Sequence, residues 1–219
     1  MSSTQPRYPV SMRVALSSAQ GALSAEVTDV SAGGMFVRTD RVLPVGELVS
    51  AALEIPDGRQ PAPVEAKVVH VAAGAPAAAA RVRRGFGARF VGGDPQFRER
   101  IERYIESIER QTKVPVRLLL VARDLLYEHG WTQFAFHDAK RGYCLTGALA
   151  DAAGEDRDAY RSALQTLGPR LGVRGCPFGG FGCHCAVLAW NDVSGRSRPE
   201  VVAKLDEIIH AALGHAASA

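Results

Sequence analysis

Along residues 8–92 the apolar positions recur in short, partly alternating runs, the period expected of half-buried strands. The runs are VSMRVAL (10–16), ALSAEVTDV (22–30), GMFVRT (34–39), ELVSAALEI (47–55), PVEAKVVHV (63–71) and GFGARFV (85–91). Gly33-Gly34, Leu43-Pro44, Pro56-Asp57-Gly58 and Gly92-Gly93 separate several of them and supply turn chemistry. In the fifth run Val64, Ala66, Val68 and His70 alternate with Glu65, Lys67 and Val69. That pattern predicts that His70 faces inward with the three apolar side chains. The Ala/Gly/Pro tract AAGAPAAAA (72–80) fits a hairpin loop. Six short strands with no helix between them predict a small antiparallel β-barrel.

The period then changes. Phe97, Ile101, Tyr104, Ile105 and Ile108 fall at offsets 0, 4, 7, 8 and 11, one face of a helix. Asp94 is placed to cap it and Pro95 suits its first position. RQTKVPV (110–116) follows as a short linker, and the helical period resumes in VRLLLVARDLLYEHG. Further helices are predicted over the Ala/Leu-rich KRGYCLTGALADAA and over DRDAYRSALQTLG, where Tyr160, Leu164 and Leu167 share a face. Ser197-Arg198-Pro199-Glu200 reads as a capping box opening a last helix with Val201, Val202, Leu205, Ile208, Ile209 and Leu213 inside. The organisation expected is multi-domain α+β. A six-stranded antiparallel barrel with its following helix occupies 1–110, a linker 111–116 and a small all-α domain 117–215.

Charge changes this picture little. Lys and Arg outnumber Asp and Glu by 14 to 12 over residues 1–112 and by 12 to 11 over 113–219. Neither half has the basic excess of a nucleic-acid binder. No apolar run approaches the roughly 20 residues that span a bilayer, and MSSTQPRYPV has no apolar signal region. These readings predict a cytoplasmic protein with reduced cysteines, no membrane insertion and no nucleic-acid partner.

DVSAGGMFV (29–37) carries Asp-x-Ser-x-x-Gly as Asp29, Ser31 and Gly34, across the end of one strand and the start of the next. Residues 6–110 resemble PilZ domains in this motif, in RYPV at the start, in GFGARFVG, and in the order of barrel and helix. The resemblance implies recognition of the bacterial second messenger cyclic di-GMP. In that family an Arg-x-x-x-Arg segment before the first strand supplies guanidinium groups, and the Asp-x-Ser-x-x-Gly motif contacts a guanine. Arginine suits the task because its planar fork binds phosphate and stacks on a base. Here the segment is incomplete. With Arg7 as the second arginine, position 3 holds serine, and Arg13 follows Arg7 by six residues rather than four. Loss of one desolvated Arg contact costs on the order of 2–5 kcal/mol. Arg7, Arg13, Asp29, Ser31 and Gly34 are the candidate ligand-binding residues, with RVRRG (81–85) a further arginine source. A purely structural role for Asp29 and Ser31, bonding their own turn while Gly33-Gly34 supply positive φ, is the competing reading.

In the second half GWTQ (130–133), GYCLTGALADAA (142–153) and AWNDVSGRS (189–197) resemble an uncharacterised bacterial helical family, a domain of unknown function. That resemblance carries no catalytic residues. Trp131 and Trp190 read as packing anchors, with Asn191 and Asp192 managing turn donors. The alternative is that Trp131, Gln133, Asn191 and Asp192 line one ligand pocket. The six histidines are dispersed, and nucleophile-elbow, P-loop and dinucleotide motifs are missing.

GCPFGGFGCHC (175–185) holds Cys176, Cys183, His184 and Cys185. It has no Cys-x-x-Cys pair, and neighbouring side chains in a regular element point apart, so no metal site is expected there. Cys144 fits a buried helix position. The resulting expectation is a non-enzymatic bacterial regulatory protein without a cofactor, acting through contact with a protein partner. One alternative is a true cyclic di-GMP receptor using Arg7 with Asp29, Ser31 and Gly34. The other is a metal-binding or enzymatic helical half using the Cys176–Cys185 cluster.

Overall fold

The computed structural model describes residues 6–73 and 84–213. The chain divides into two compact units, Arg7–Gln111 and the part from Thr112 onward.

The first unit is the expected barrel. Its strands are β1 (Tyr8–Ser18), β2 (Gly21–Ser31), β3 (Gly34–Arg38), β4 (Leu48–Leu53), β5 (Ala62–Ala73) and β6 (Arg84–Phe90). They close in the order β1-β2-β3-β6-β5-β4, every pairing antiparallel. Closure leaves no strand edge to satisfy elsewhere. Val14, Leu16, Val27, Val30, Val37, Leu53, Ala66, Val68 and Phe86 are 0–3% exposed and form the core. Each large aliphatic side chain buried there contributes roughly 1.5–3 kcal/mol. Residues 74–80 of the Ala/Gly/Pro tract and 81–83 of the second arginine source lie outside the described residues.

Three irregularities set which side chains face outward. The ladders shift register between Pro9 and Met12, between Val27 and Asp29, and between Val68 and His70. Each extra residue resets the period-two alternation beyond it. The last shift overturns the inward placement of His70: Val68 and Val71 pair with the buried Ala88 and Phe86, while His70 pairs with Gly87 between them and is exposed.

Helix α1 (Pro95–Gln111) completes the unit. Asp94 caps it as expected, its Oδ1 accepting from Phe97 N at 2.6 Å. Phe97, Ile101 and Ile105 are buried, and the Phe97 ring meets Phe90 edge-on at 5.1 Å. Arg100 fixes the helix laterally through a bidentate pair with Asp57 (2.7 and 2.9 Å) and a bond to Gln60 O.

The predicted linker is mostly helix. Helix α2 (Val114–His129) starts three residues after α1 ends, with Pro115 in its first turn, where a missing N–H costs nothing. The predicted end of the helical domain at 215 lies outside the described residues. After α2 come the two-residue strands β7 (His137–Asp138) and β8 (Gly142–Tyr143), helices α3 (Leu145–Ala153) and α4 (Arg157–Leu167), and a single 3₁₀ turn, Gly168–Leu171. Helices α5 (His184–Asn191) and α6 (Arg198–Ala212) follow. The unit is thus mainly helical, with one short ladder that the sequence pattern did not announce. Helix α2 is its centre, packed against α3, α4 and α6. Its middle, from Leu119 to Leu126, is almost wholly buried, even at Arg123 and Asp124. Arg123 is 1% exposed, and its Nε and Nη2 donate to Asp124 Oδ1 at 3.0 and 2.9 Å, while Nη1 reaches Asp206 Oδ1 of α6 at 3.2 Å. Burial opposes the charge, but the two carboxylates outweigh it and hold the guanidinium pKa above its ordinary value. No helix among the described residues is long and apolar enough to cross a membrane.

Candidate functional site

The bulge at Thr28 lets Val27 and Val30 both point into the barrel and turns Asp29 outward between them. From Asp29 the strand pairings run in one row across the outer face: Pro9 of β1, Asp29 of β2, Phe36 of β3, Gly87 of β6 and His70 of β5. Its middle is covered, with Asp29 2% and Phe36 6% exposed, while His70 at its end is exposed. The Phe36 and His70 rings stack at a tilt, with centroids 5.8 Å apart. Arg7 enters from two residues before Pro9, and its charge is felt at His70. Burial first, and Arg7 second, push the His70 pKa below its ordinary value. Both causes disfavour the charged imidazolium at this place.

Ser31 and Gly34 close the β2–β3 turn on the same outer face. Ser31 is 9% exposed, and its hydroxyl donates to Gly34 O at 3.5 Å. The expected positive φ at Gly33 and Gly34 does not occur. What the turn needs at Gly34 is space: a Cβ there would lie 2.5 Å from Ala88 O of β6. Gly33 ties the turn down differently, its carbonyl accepting from Phe90 N at 3.0 Å.

The structure therefore gathers Arg7, Asp29, Ser31 and Gly34 around one row and adds Phe36 and His70, which sequence reasoning missed. Arg13 is not in this row. It pairs with Glu26, three residues along β2 from Asp29, or about 10 Å at strand rise. There it lines an open groove with Ser11, Glu54 and Arg59. Glu26 itself is held by Ser11 Oγ at 2.8 Å and by Arg38. Of the second arginine source, Arg84 pairs with Asp40 at 3.3 Å.

In the helical unit the four predicted pocket residues do come together, but as a clasp. Asn191 is 0% exposed and uses its whole amide. Its Oδ1 accepts from Trp131 Nε1 (2.8 Å) and Leu145 N (3.0 Å), and its Nδ2 donates to Thr132 O (3.2 Å) and Asp192 Oδ1 (2.8 Å). Gln133 Nε2 donates to Asn191 O and Val193 O, and Asp192 Oδ1 accepts from Phe134 N. The bond to Leu145 N satisfies an orphan donor at the start of α3. Trp190 is not a core anchor: it is only half-buried, with the Arg196 guanidinium 3.8 Å above its ring.

The cysteines depart from expectation most. Cys176, Cys183 and Cys185 place their sulfurs within 4.8 Å of one another. The reason is local. Cys183 is the N-cap of α5, in extended backbone, and Cys185 is its second helical residue. As N-cap, Cys183 turns its side chain back over the first helical turn, toward the N–H of the second helical residue. Cys185 N donates to Cys183 Sγ at 3.5 Å. Cys176 is brought in by a small loop closed by Cys176 N to Gly180 O (2.9 Å) and Gly180 N to Cys176 O (2.8 Å). The nearby backbone N–H groups of Phe178 and Gly179 favour the Cys176 thiolate and hold its pKa below the ordinary range. Cys185, donating toward Cys183 and Cys176, is pushed up to about 11. Cys144 stays apart and buried as the N-cap of α3, accepting from Gly147 N at 3.3 Å.

Comparison with known families matches residues 3–107 to the PilZ domain and residues 110–211 to a family of unknown function, DUF6197. Among solved structures the chain is similar to the inhibitor of motility MotI/DgrA of Bacillus subtilis, at 14% identity and TM-score 0.43, covering 52% of this chain and 54% of that one. It is also similar to YcgR of Escherichia coli in complex with c-di-GMP, at 17% identity and TM-score 0.41, covering 51% and 47%. The PilZ domain of CeSA from a cellulose-synthesizing bacterium aligns at 19% identity and TM-score 0.35, covering 47% of this chain and 97% of that one. The chain spans about half the length of the first two. No curated protein matches it.

Proposed function

From a chain made of a PilZ domain followed by a DUF6197 region, we propose a non-enzymatic bacterial regulator in cyclic di-GMP-related signalling. In this reading the barrel works in the cytoplasm, mainly by contact with another protein, and its own nucleotide site is incomplete. The observation that carries the reading is the missing arginine: Ser3 stands where the first of the pair belongs, and Arg13 lies on a different row from Asp29. Burial supports it further. A carboxylate 2% exposed offers little edge to an incoming guanine, and Ser31 is engaged with its own turn. The helical unit adds a stable body, held by Asn191 and by Arg123 with its two carboxylates, rather than a catalytic centre.

A specific observation favours a second reading, that of a true receptor. Arg7 and His70 bring a guanidinium and an imidazole to the Asp29 row, beside the Phe36 ring. Calorimetric titration of cyclic di-GMP into the full chain separates the two. No saturable heat at low-micromolar ligand is expected, and saturable heat that disappears in Asp29→Ala overturns the first reading.

A further inference from the structure

Residues 172–183 between the 3₁₀ turn and α5 form a connection without helix or strand, about as long as unstructured loops run in compact domains. Three thiols converge at its end. We propose that Cys176, Cys183 and Cys185 form a three-thiolate site for a thiophilic closed-shell cation, namely Zn(II), with a water or other exogenous ligand in the fourth position.

The geometry fits on four counts. Thiolates around one zinc at 2.3 Å lie about 3.8 Å apart when tetrahedral, and these sulfurs all fall within 4.8 Å of one another. The cluster contains no carboxylate or imidazole, and all-sulfur donor sets select soft ions over calcium or magnesium. Cys183 already accepts a backbone N–H bond from Cys185, and the Cys176 loop is closed by its own backbone bonds to Gly180. Such outer bonds orient ligand sulfurs and offset their negative charge before any metal arrives. Finally, Gly179 packs where no larger residue fits, since a Cβ there would lie 2.9 Å from Cys183 Cβ. This close approach brings the Cys176 loop onto the α5 cap.

His184 does not complete the set. It is exposed, its ring lies 5.9 Å from that of Phe136, and its nitrogens are not among the converging atoms. Cys185 is exposed, so the fourth direction opens to solvent. Binding of one Zn(II) to three neutral thiols forms three Zn–S bonds and releases three protons, leaving the site with one net negative charge. The ion would pin a long loop to the start of α5, an indirect clamp on the Asn191 clasp at the other end of the same helix.

The test uses the full chain, made without a polyhistidine tag, reduced, and stripped with chelator. Zn(II) is titrated against a chromophoric chelator, and Co(II) serves as a spectroscopic stand-in. One equivalent of tight binding is expected, with near-ultraviolet thiolate-to-cobalt absorption. Cys185→Ser and Cys176→Ser should each weaken binding more than about a hundredfold, beyond the loss typical of an outer-shell partner. Cys144→Ser should leave it unchanged. Because Cys185 is exposed, its variant should keep the wild-type circular dichroism. The proposal is overturned by the absence of Zn(II) uptake, or by uptake that Cys185→Ser does not weaken. Loss of two thiols to mild oxidation with no metal bound also overturns it, since that result assigns a disulfide.

Discussion

Asp29 and Phe36 stand directly opposite each other on β2 and β3, both on the outer face of the barrel and both almost completely buried. The pairing exists because the extra residue at Thr28 shifts the register, so that core valines flank a carboxylate without drawing it inward. Phe36 in turn bridges Asp29 to His70. The Asp-x-Ser-x-x-Gly motif and a titratable group thus share one surface.

His70 should report on that surface through pH. Its folded pKa lies below the ordinary 6.5, so the unfolded chain binds a proton more readily. Its contribution to stability is full above pH 6.5 and is lost as pH falls through the window beneath it. Denaturation midpoints measured across that window should drop for the wild type and change less for His70→Gln. Imidazole titration by NMR should show the His70 pKa rising in Arg7→Ala, because one repulsive charge is gone.

Gly34→Ala should destabilise the barrel by about 1–3 kcal/mol, the usual cost of overpacking. The added methyl meets the Ala88 carbonyl of β6, a backbone atom with little freedom to yield. Chemical denaturation of the variant checks this, with Gly33→Ala as the comparison: no atom lies within 4 Å of a Cβ at that site.

Much of this was legible in the residues. Six strands, the Asp94 cap, and the paired Ser197 and Glu200 that open α6 follow from period and capping chemistry. Local rules failed where one inserted residue or one turn changed direction. The bulge before His70 reversed its face, a result alternation alone cannot anticipate. RQTKVPV read as a linker, but its Pro115 sits in the first turn of α2. Strand and helix directions set neighbouring cysteines apart, while the chain places two of them across an N-cap, which is neither. The Asn191 clasp draws on residues some 46 to 60 positions away, so only its ingredients were visible.

Asn191→Leu should cost at least about 2 kcal/mol, since it strands the Trp131 indole N–H and the Leu145 amide in a buried setting. Asn191→Asp keeps both acceptor bonds but loses both donors, to Thr132 O and Asp192 Oδ1, and buries a carboxylate against that of Asp192, so it should cost at least as much as Asn191→Leu. Urea midpoints, with Trp131 fluorescence as the probe, check the order.

Arg123→Met should destabilise the helical unit by about 3–5 kcal/mol, because Asp124 remains buried without its cation. Adding Asp124→Leu should recover much of the loss by removing the stranded charge. A double-mutant cycle on unfolding free energies checks the coupling.

The most direct measurement titrates cyclic di-GMP into the wild type and Ser3→Arg side by side. The account predicts no saturable binding at low-micromolar ligand in the wild type. Restoring the arginine should strengthen binding by on the order of 2–5 kcal/mol, roughly thirty- to several-thousandfold. Saturable binding by the wild type, abolished by Asp29→Ala and unchanged by Ser3→Arg, would contradict it.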